Sequence, residues 1–410
     1  MKRNRRISAV AALALAALVT GTGAGFAATI TPSATPMATH AFDTAPATAT
    51  APARTFQGTL PAPTGPYAAG EDVIHLTDAS RPDPWMPSSG PRQLTVTMVY
   101  PAVPGTGTPA PYMTLAEAAG AIQLRKIPAS SGITPQNLSS VATHAFDGAR
   151  PRSGKYPLVV LSPGFEHPRM MLTSLATDLA SHGYVVALVG HTYEDSGETL
   201  ANGQTPPCAI CDDPNLDMGT VTASRALDVS FVIDQLTHGN TAWRLAHLID
   251  EHEIGMAGHS LGGAAAATTM IADPRVRAGV NMDGTFAPAP MPGQINRPFL
   301  MLSSPGNHPA GGGDTTWGQA WDALGGYKKW LTVAGADHTS FTDLDLLLEE
   351  AGFPTPPLSP ARGVEITREY VTAFFDRTLK GIHSPLLDGP SPNNPEVLFQ
   401  HWCSAASACR

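Results

Sequence analysis

One pattern recurs along the second half of the chain: a continuous apolar run, a turn, and an amphipathic segment with helical period. Apolar runs that are bounded by turns and separated by helices are typical of a parallel sheet covered on both faces. The sequence therefore predicts an α/β fold with a mostly parallel central sheet and helices on both faces. The predicted strands of this series cover 158–161, 184–189, 254–257, 276–282, 299–302 and 329–333, where the series ends.

Helical segments separate these strands, and two strands are expected before them. The earlier strands cover 73–76 and 94–100, the second with clear alternation of apolar and polar residues. Residues 101–153 form a Pro- and Gly-punctuated excursion with a helical piece near 115–124, for which we expect a lid or a decorated loop. The other helices are predicted over 170–181, 221–236, 261–271, 344–351 and 364–380.

The N-terminus has the three regions of a secretory signal peptide. Basic residues come first, an apolar run over 7–20 follows, and small residues lead to Ala28, so 1–28 is the predicted signal peptide. Arg5 and Arg6 keep the twin-arginine route open beside the general one. Residues 29–54, rich in Ala, Thr and Pro, predict a disordered linker. We therefore expect a secreted, extracellular protein with a single folded domain over 55–410.

Charge narrows the range of partners. The chain has 25 basic and 34 acidic residues, a net charge of −9, and loss of the four basic residues in 1–28 changes this to −13. An acidic surface repels polyphosphates and anionic membranes. No nucleic acid is expected as a partner.

The four cysteines favour disulfides over a metal site. An exported protein meets an oxidising compartment, where an even number of cysteines can pair in three ways. We favour the local pairs, Cys208 with Cys211 and Cys403 with Cys409, because each pair lies in one loop-type segment. Zinc is the alternative, but nothing else marks a ligand cluster, so no metal is expected.

A G-x-S-x-G motif stands between a predicted strand and a small-residue helix. At this junction a sharp turn would present Ser260 above the sheet as a nucleophile, with Gly258 and Gly262 where side chains would collide. The alternative is a Gly-rich turn with an incidental serine. The motif and its following residue read Gly258-His259-Ser260-Leu261-Gly262-Gly263.

A serine nucleophile needs a base, and the base needs a carboxylate to orient it. In α/β folds with this elbow the order is serine, acid, histidine, with the histidine in the loop after the last strand, which here makes His338 the expected base. His308 precedes that strand, and His259 lies inside the elbow, where we expect packing or a local hydrogen bond. His383 and His401 follow the last long helix.

The acid has two candidates. Asp283 stands where the strand over 276–282 ends and is the expected acid. Asp314 is the alternative, because it is the first carboxylate that follows the next strand, 299–302. Asp337 is expected to shape its loop. The oxyanion hole needs two backbone N–H groups, expected from Leu261 and, because Pro163 has no N–H, from Phe165. The alternative is that Pro163-Gly164 forms a turn without a catalytic role.

These residues and several other segments resemble the α/β-hydrolase superfamily and, within it, the secreted platelet-activating-factor acetylhydrolase-like family, also called group VII phospholipase A2. The resemblance runs from about residue 55 to 380, and it implies that the acid comes from the strand directly after the elbow helix, as Asp283 does. The sequence departs from the family pattern at Pro163, where histidine is common, and in the loop that contains Cys208. The other matching segments include 63–67, 78–85, 99–102, 157–165 and 281–284.

The sequence and the resemblance together predict a secreted, cofactor-free serine esterase that forms an acyl-enzyme and cleaves short-acyl lipid esters. We expect a monomer that touches lipid interfaces transiently and takes lipid or small ester substrates. The alternatives are a triacylglycerol lipase or cutinase-like polyesterase and, in another class, a non-catalytic binding protein with this fold.

Overall fold

The computed structural model describes residues 56–400, so the predicted signal peptide, the whole predicted linker, His401, Cys403 and Cys409 lie outside the described residues. The described residues belong to one compact unit. Among them, no helix is both long and apolar enough to cross a bilayer.

The strands form one twisted sheet in the order β11-β10-β9-β8-β7-β5-β6-β2-β1-β4-β3. The six neighbouring strands β10, β9, β8, β7, β5 and β6 are parallel to one another. The pairs β1–β2, β2–β6 and β10–β11 are antiparallel. The strands are β1 Ala68–Pro82, β2 Pro91–Ala102, β3 Thr108–Pro109, β4 Ala145–Asp147, β5 Tyr156–Ser162, β6 Val185–Gly190, β7 Ile249–His259, β8 Val276–Met282, β9 Phe299–Ser303, β10 Lys328–Val333 and β11 Val397–Phe399.

Helices pack on both faces of the sheet, and each face has its own apolar core. Strands β5, β6, β8 and β9 are buried almost end to end because both faces are covered. The predicted fold class is therefore confirmed. The helices are α1 Leu115–Leu124, α2 Pro135–Ser139, α3 Thr173–Ser181, α4 Met218–Thr237, α5 Leu261–Ala272, α6 Thr316–Ala323, α7 Leu344–Glu350 and α8 Pro360–Leu379.

Several elements differ from those predicted, including α2, β3 and β4 in the excursion, where only one helical piece was expected. The strand series does not end at β10, because the three-residue β11 adds an edge strand too short to produce a pattern. Helix α6 was not predicted, since its eight residues stand between Gly-rich segments. The predicted helix over 170–181 begins as a 3-10 turn, Arg169–Leu172, and becomes α-helical at Thr173.

The excursion over 101–153 contains β3, α1, α2 and β4, and it supplies most of a small apolar core that also includes Phe56, Leu60, Met170 and Leu347. Helix α1 starts with a capping box in which Thr114 and Glu117 satisfy each other's backbone N–H groups. The segment lies on the side of β1, where β4 pairs with it.

Candidate active site

Ser260 occupies the turn between β7 and α5 in a conformation rare for a residue with a side chain, with φ of 53° and ψ of −124°. A Cβ on Gly258 would lie 2.2 Å from the backbone of Gly262, and one on Gly262 would lie 2.0 Å from the carbonyl oxygen of Ser162. Side chains are therefore excluded at both positions. The turn leaves Ser260 half-buried and open to solvent.

The structure brings Ser260, His338 and Asp283 together from three strand ends. The Nε2 atom of His338 lies 2.9 Å from the Oγ of Ser260, and its Nδ1 atom lies 2.8 Å from the Oδ2 of Asp283. In the tautomer that fits this network, Nδ1–H donates to Asp283 and Nε2 accepts from the serine hydroxyl. His338 is partly exposed, whereas Asp283 is buried.

Asp283 is held ionised by donors from the end of β9. The Ser304 amide donates to Oδ1 at 2.6 Å, while the Ser304 hydroxyl and the Asn307 side chain donate to Oδ2, each at 2.9 Å. Burial alone would raise the pKa of Asp283, but the hydrogen bonds from His338 and Ser304 bring this pKa below its ordinary value. A buried carboxylate orients a neighbouring imidazole best in this charged state.

The other candidate residues lie elsewhere. Asp314 pairs with the Nδ1 of His308 at 2.9 Å, and the Nε2 of His308 faces the backbone oxygen of Asp283, so neither reaches Ser260. Asp337 accepts from the amides of Thr339 and Ser340 in its own loop. His383 is exposed and pairs with Asp388.

His259 fixes the backbone of the loop that carries His338. Its ring is fully buried, and its Nε2–H donates to the carbonyl oxygen of His338 at 2.7 Å. Burial, with the nearby His338, lowers the pKa of His259 to about 3, so this ring stays neutral at physiological pH. It holds the backbone of His338, and none of its hydrogen bonds reaches the Ser260 hydroxyl.

Two backbone amides flank Ser260 without hydrogen-bond acceptors. Within residues 56–400, neither the amide of Leu261 nor that of Phe165 donates a hydrogen bond. The loop after β5 passes close to Ser260, since a Cβ on Gly164 would lie 3.3 Å from the Cβ of Ser260. Free amides at a helix N-terminus and in an adjacent loop are the donors that an oxyanion requires.

An apolar cluster covers the same side of the site. Phe165 and Leu261 pack in it together with Trp85, Ile210 and Leu216. The predicted Cys208–Cys211 disulfide is present, and Cys208 packs against this apolar cluster. The predicted Cys403–Cys409 pair lies outside the described residues.

A buried ionic network anchors the loop that carries Phe165. Arg225 donates through Nη1 to the carbonyl oxygen of Pro163 and to the Oγ of Ser162, while its Nε contacts Glu194 at 2.7 Å. The Oγ of Ser162 also lies 2.9 Å from His191, whose Nδ1 lies 2.8 Å from Asp228. All five side chains are at most 1% exposed.

This network does not provide a vacant metal site. His191, Glu194 and Asp228 lie close enough together to hold a cation. Arg225 already neutralises Glu194, and Arg92 contacts Asp228 at 2.7 Å. Arg81 also contacts Asp228, so three guanidinium groups supply the positive charge that these carboxylates need.

Sequence reasoning missed Ser304, Asn307 and Arg225. Ser304 and Asn307 follow β9, and they donate hydrogen bonds to Asp283, which follows β8. Arg225 stands on α4 and reaches a loop about sixty residues earlier in the chain. None of the three belongs to a local motif, so the only signal is the polar residue type at a strand end or on a buried helix face.

The comparisons with known proteins place this geometry in a class. A ferulic acid esterase from Streptomyces cinnamoneus, solved at 2.4 Å, is 39% identical with a TM-score of 0.74, covering 84% of this chain and 100% of that one. A protein of Arthroderma benhamiae named as a probable 1-alkyl-2-acetylglycerophosphocholine esterase is 26% identical over 83% of this chain and 93% of its own length. The chain is thus a carboxylic ester hydrolase with the α/β-hydrolase fold.

The family follows from a broader match. The model of the family "Platelet-activating factor acetylhydrolase, isoform II" matches residues 116–206 and 215–352, more than half of the chain. The chain belongs to this family. A platelet-activating factor acetylhydrolase of Bos taurus is 27% identical over 40% of this chain and 44% of its own length. The matched ranges include all five residues expected at the active site: Phe165, Ser260, Leu261, Asp283 and His338.

Proposed function

We propose that the chain is a secreted serine esterase in which Ser260 is the nucleophile, His338 the general base and Asp283 the orienting acid. One observation carries this proposal: an unbroken hydrogen-bond chain runs from the Ser260 hydroxyl through His338 to the buried Asp283. Such a chain activates a hydroxyl that is otherwise a weak nucleophile at neutral pH.

The first half of the reaction acylates the serine. As the Oγ of Ser260 attacks the ester carbonyl carbon, the Nε2 of His338 takes the hydroxyl proton. The carbonyl oxygen becomes negative and is stabilised by the amides of Phe165 and Leu261. The tetrahedral intermediate then collapses, and His338 returns the proton to the departing alcohol.

The second half releases the acid. His338 removes a proton from a water molecule that attacks the acyl carbon of Ser260, and the same two amides stabilise the second oxyanion. Collapse breaks the bond to Oγ, which recovers the proton from His338. The sum is ester plus water giving acid plus alcohol, and no metal or cofactor enters any step.

The substrate class that we propose is short-acyl lipid esters, such as the acetyl group of an ether phospholipid. The family match and the esterases of Arthroderma benhamiae and Bos taurus support this choice. The apolar cluster around Phe165 and Leu261 offers a surface for the substrate's apolar part and for transient contact with a lipid interface. A monomer suffices, since all groups of the site come from one chain.

A second candidate is an ester with an aromatic acyl group. The ferulic acid esterase is the more identical relative in sequence, and its whole length is covered. Trp85 and Phe165 in the cluster could stack on an aromatic ring. Long-chain glycerides and polyesters are the further alternatives.

Labelling with a fluorophosphonate tests whether the chain is an enzyme. We expect a covalent adduct on Ser260 in the purified protein and none in Ser260→Ala. An unlabelled native protein would overturn the esterase proposal and favour a binding protein with this fold.

A panel of esters then decides the substrate. We expect the highest kcat/KM on acetyl esters of an ether glycerophospholipid, lower values on ethyl ferulate, and the lowest on tributyrin, triolein and polyester film. Equal or faster release from ferulate, long-chain glycerides or polyester would reverse this order while leaving the triad intact.

Secretion has its own test. We propose that 1–28 directs export, that 29–54 remains an unfolded linker, and that 55–410 is the catalytic domain. N-terminal sequencing of protein recovered from culture medium should begin at residue 29. Protein that stays in the cells, or that still carries Met1 in the medium, would contradict export by cleavage.

A further inference from the structure

A second concave site lies against β1 and β2, which β5 and β6 separate from β7 in the sheet. It is a cavity of about 420 Å³ whose walls come mostly from the two strands, the excursion over 101–153, and the turn Arg169–Leu172 with the start of α3, with Leu188 of β6 and Thr199 added. None of Ser260, Asp283, His338, Phe165 and Leu261 lines it. Its volume is within the range of small-molecule sites, roughly 300–1,000 Å³.

One wall of this cavity holds a carboxylate that lacks a partner. Glu71 of β1 lines the cavity, and its side chain is about nine-tenths buried. Within residues 56–400 it forms no hydrogen bond and no ion pair. A buried carboxylate without a donor or a cation loses its hydration and gains nothing in return, so it either holds a proton or attracts a cationic ligand.

The charges around Glu71 attract a cation. Arg169 is the cation beside it, but Glu117 and Glu198 both contact this guanidinium, and its Nε donates to the hydroxyl of Thr97. Asp147 is the register partner of Glu71 across the β1–β4 pair, so a second carboxylate stands on the same face. The cavity therefore has more negative than positive charge.

The remaining lining matches an organic ligand better than a bare ion. Apolar side chains that are nearly fully buried form part of the wall, namely Ala110, Tyr112, Met113, Met170 and Leu188. Thr95 and Thr114 add hydroxyl oxygens at the polar side. A site with a few convergent acceptors and an apolar remainder suits a ligand that carries its charge at one end.

We propose that this cavity binds a primary alkylammonium ion, with the Glu71 carboxylate as its counter-ion. The three N–H donors of the ammonium meet Glu71, Asp147 and threonine oxygens, and the alkyl part packs on the methionines and Tyr112. A bound ligand would link the excursion to the sheet, because both contribute walls. The proposal does not depend on the esterase mechanism.

Thermal unfolding of the full-length protein tests the site with matched probes. We expect n-butylammonium chloride to raise the Tm in a saturable manner, relative to equal NaCl. The neutral isostere 1-butanol should not raise it. Glu71→Gln should abolish the increase, whereas Glu251→Gln, which removes the same charge from an exposed position on β7, should leave it unchanged.

Other outcomes would overturn the proposal. These are an absent Tm increase, an equal increase with 1-butanol, or an increase that survives in Glu71→Gln. An increase with CaCl2 that depends on Glu71, without one for butylammonium, would identify a metal site instead. If Glu71→Gln does not fold, Asp147→Asn at the exposed mouth should weaken butylammonium binding by about fivefold, and unchanged affinity in that variant would equally refute the site.

Discussion

At the scale of single residues, the site depends on which carboxylate faces His338. Asp283 and Asp314 each lie within 2.9 Å of a histidine nitrogen, so both pairs look alike in isolation. The difference lies in the second ring nitrogen: that of His338 faces the Ser260 hydroxyl, and that of His308 faces a backbone carbonyl. Only one of these histidines can pass a proton to and from a nucleophile.

The substitution Asp283→Asn should therefore lower kcat by roughly 10³- to 10⁴-fold, because the amide would favour the wrong tautomer of His338. Asp314→Asn should lower it less than tenfold. Steady-state kinetics on one acetyl ester, with Tm measured for each variant, make the comparison. A larger loss for Asp314→Asn would refute the assignment of the acid.

At the scale of elements, the elbow depends on the close approach of α5 to the end of β5. Gly262→Ala would place a methyl group 2.0 Å from a backbone oxygen of Ser162 that cannot move aside without shifting β5. We expect a loss of stability of about 1–3 kcal/mol and a large loss of kcat. Gly389→Ala, where nothing lies within 4 Å, is the matched control and should behave as wild type.

The Cys208–Cys211 disulfide should affect the substrate wall more than the fold. It closes a loop with a sequence separation of only 3, and a loop this short limits its contribution to about 2 kcal/mol. The double variant Cys208→Ser/Cys211→Ser should unfold at slightly lower urea concentration while KM for the best ester rises several-fold. An unchanged KM would mean that this loop does not contact substrate.

At the scale of the whole molecule, buried carboxylates make the stability of the fold depend on pH. Burial raises the pKa of Glu71 and Asp195 to about 7, and that of Asp343 and Asp345 to about 6. The folded chain keeps these protons while the unfolded chain releases them near its ordinary values of 3.8 to 4.5. Between about pH 4 and 7 these four carboxyl groups bind more protons in the folded state, so their contribution to stability falls as the pH rises. Buried histidines such as His259, whose pKa is lowered to about 3, contribute in the opposite direction over the same window.

Below about pH 4 the contribution of the carboxylates to stability changes with pH in the opposite direction. Asp283 and Glu117 have lowered pKa values, and stability is lost when they are protonated in acid. For Glu71 the sign is isolated by comparison with Glu71→Gln: we expect the free energy of unfolding of the native protein, relative to that of the variant, to fall as the pH rises from about 5 to 7. Urea unfolding of both proteins at several pH values measures this difference, and a difference that rises over that range would contradict it.

The sequence predicted the parts of the molecule that repeat or that follow a strand. Strands β5 to β10 could be found because burial on both faces makes them continuously apolar, and Ser260, Asp283 and His338 because each follows such a strand. The edge strand β11 is too short to give a pattern. Ser304 and Arg225 could not be found because their partners lie 21 and about sixty residues away in the chain, a proximity that only the folded sheet creates.

The buried set Ser162–His191–Asp228 has a consequence for how such enzymes are recognised. Its two hydrogen-bond distances, 2.9 and 2.8 Å, equal those of Ser260–His338–Asp283. A template search by interatomic distance would return two serine triads from this one chain. Solvent access separates them, since Ser162 is fully buried and its hydroxyl also accepts from Arg225. Active-site titration should accordingly count one reactive serine per molecule.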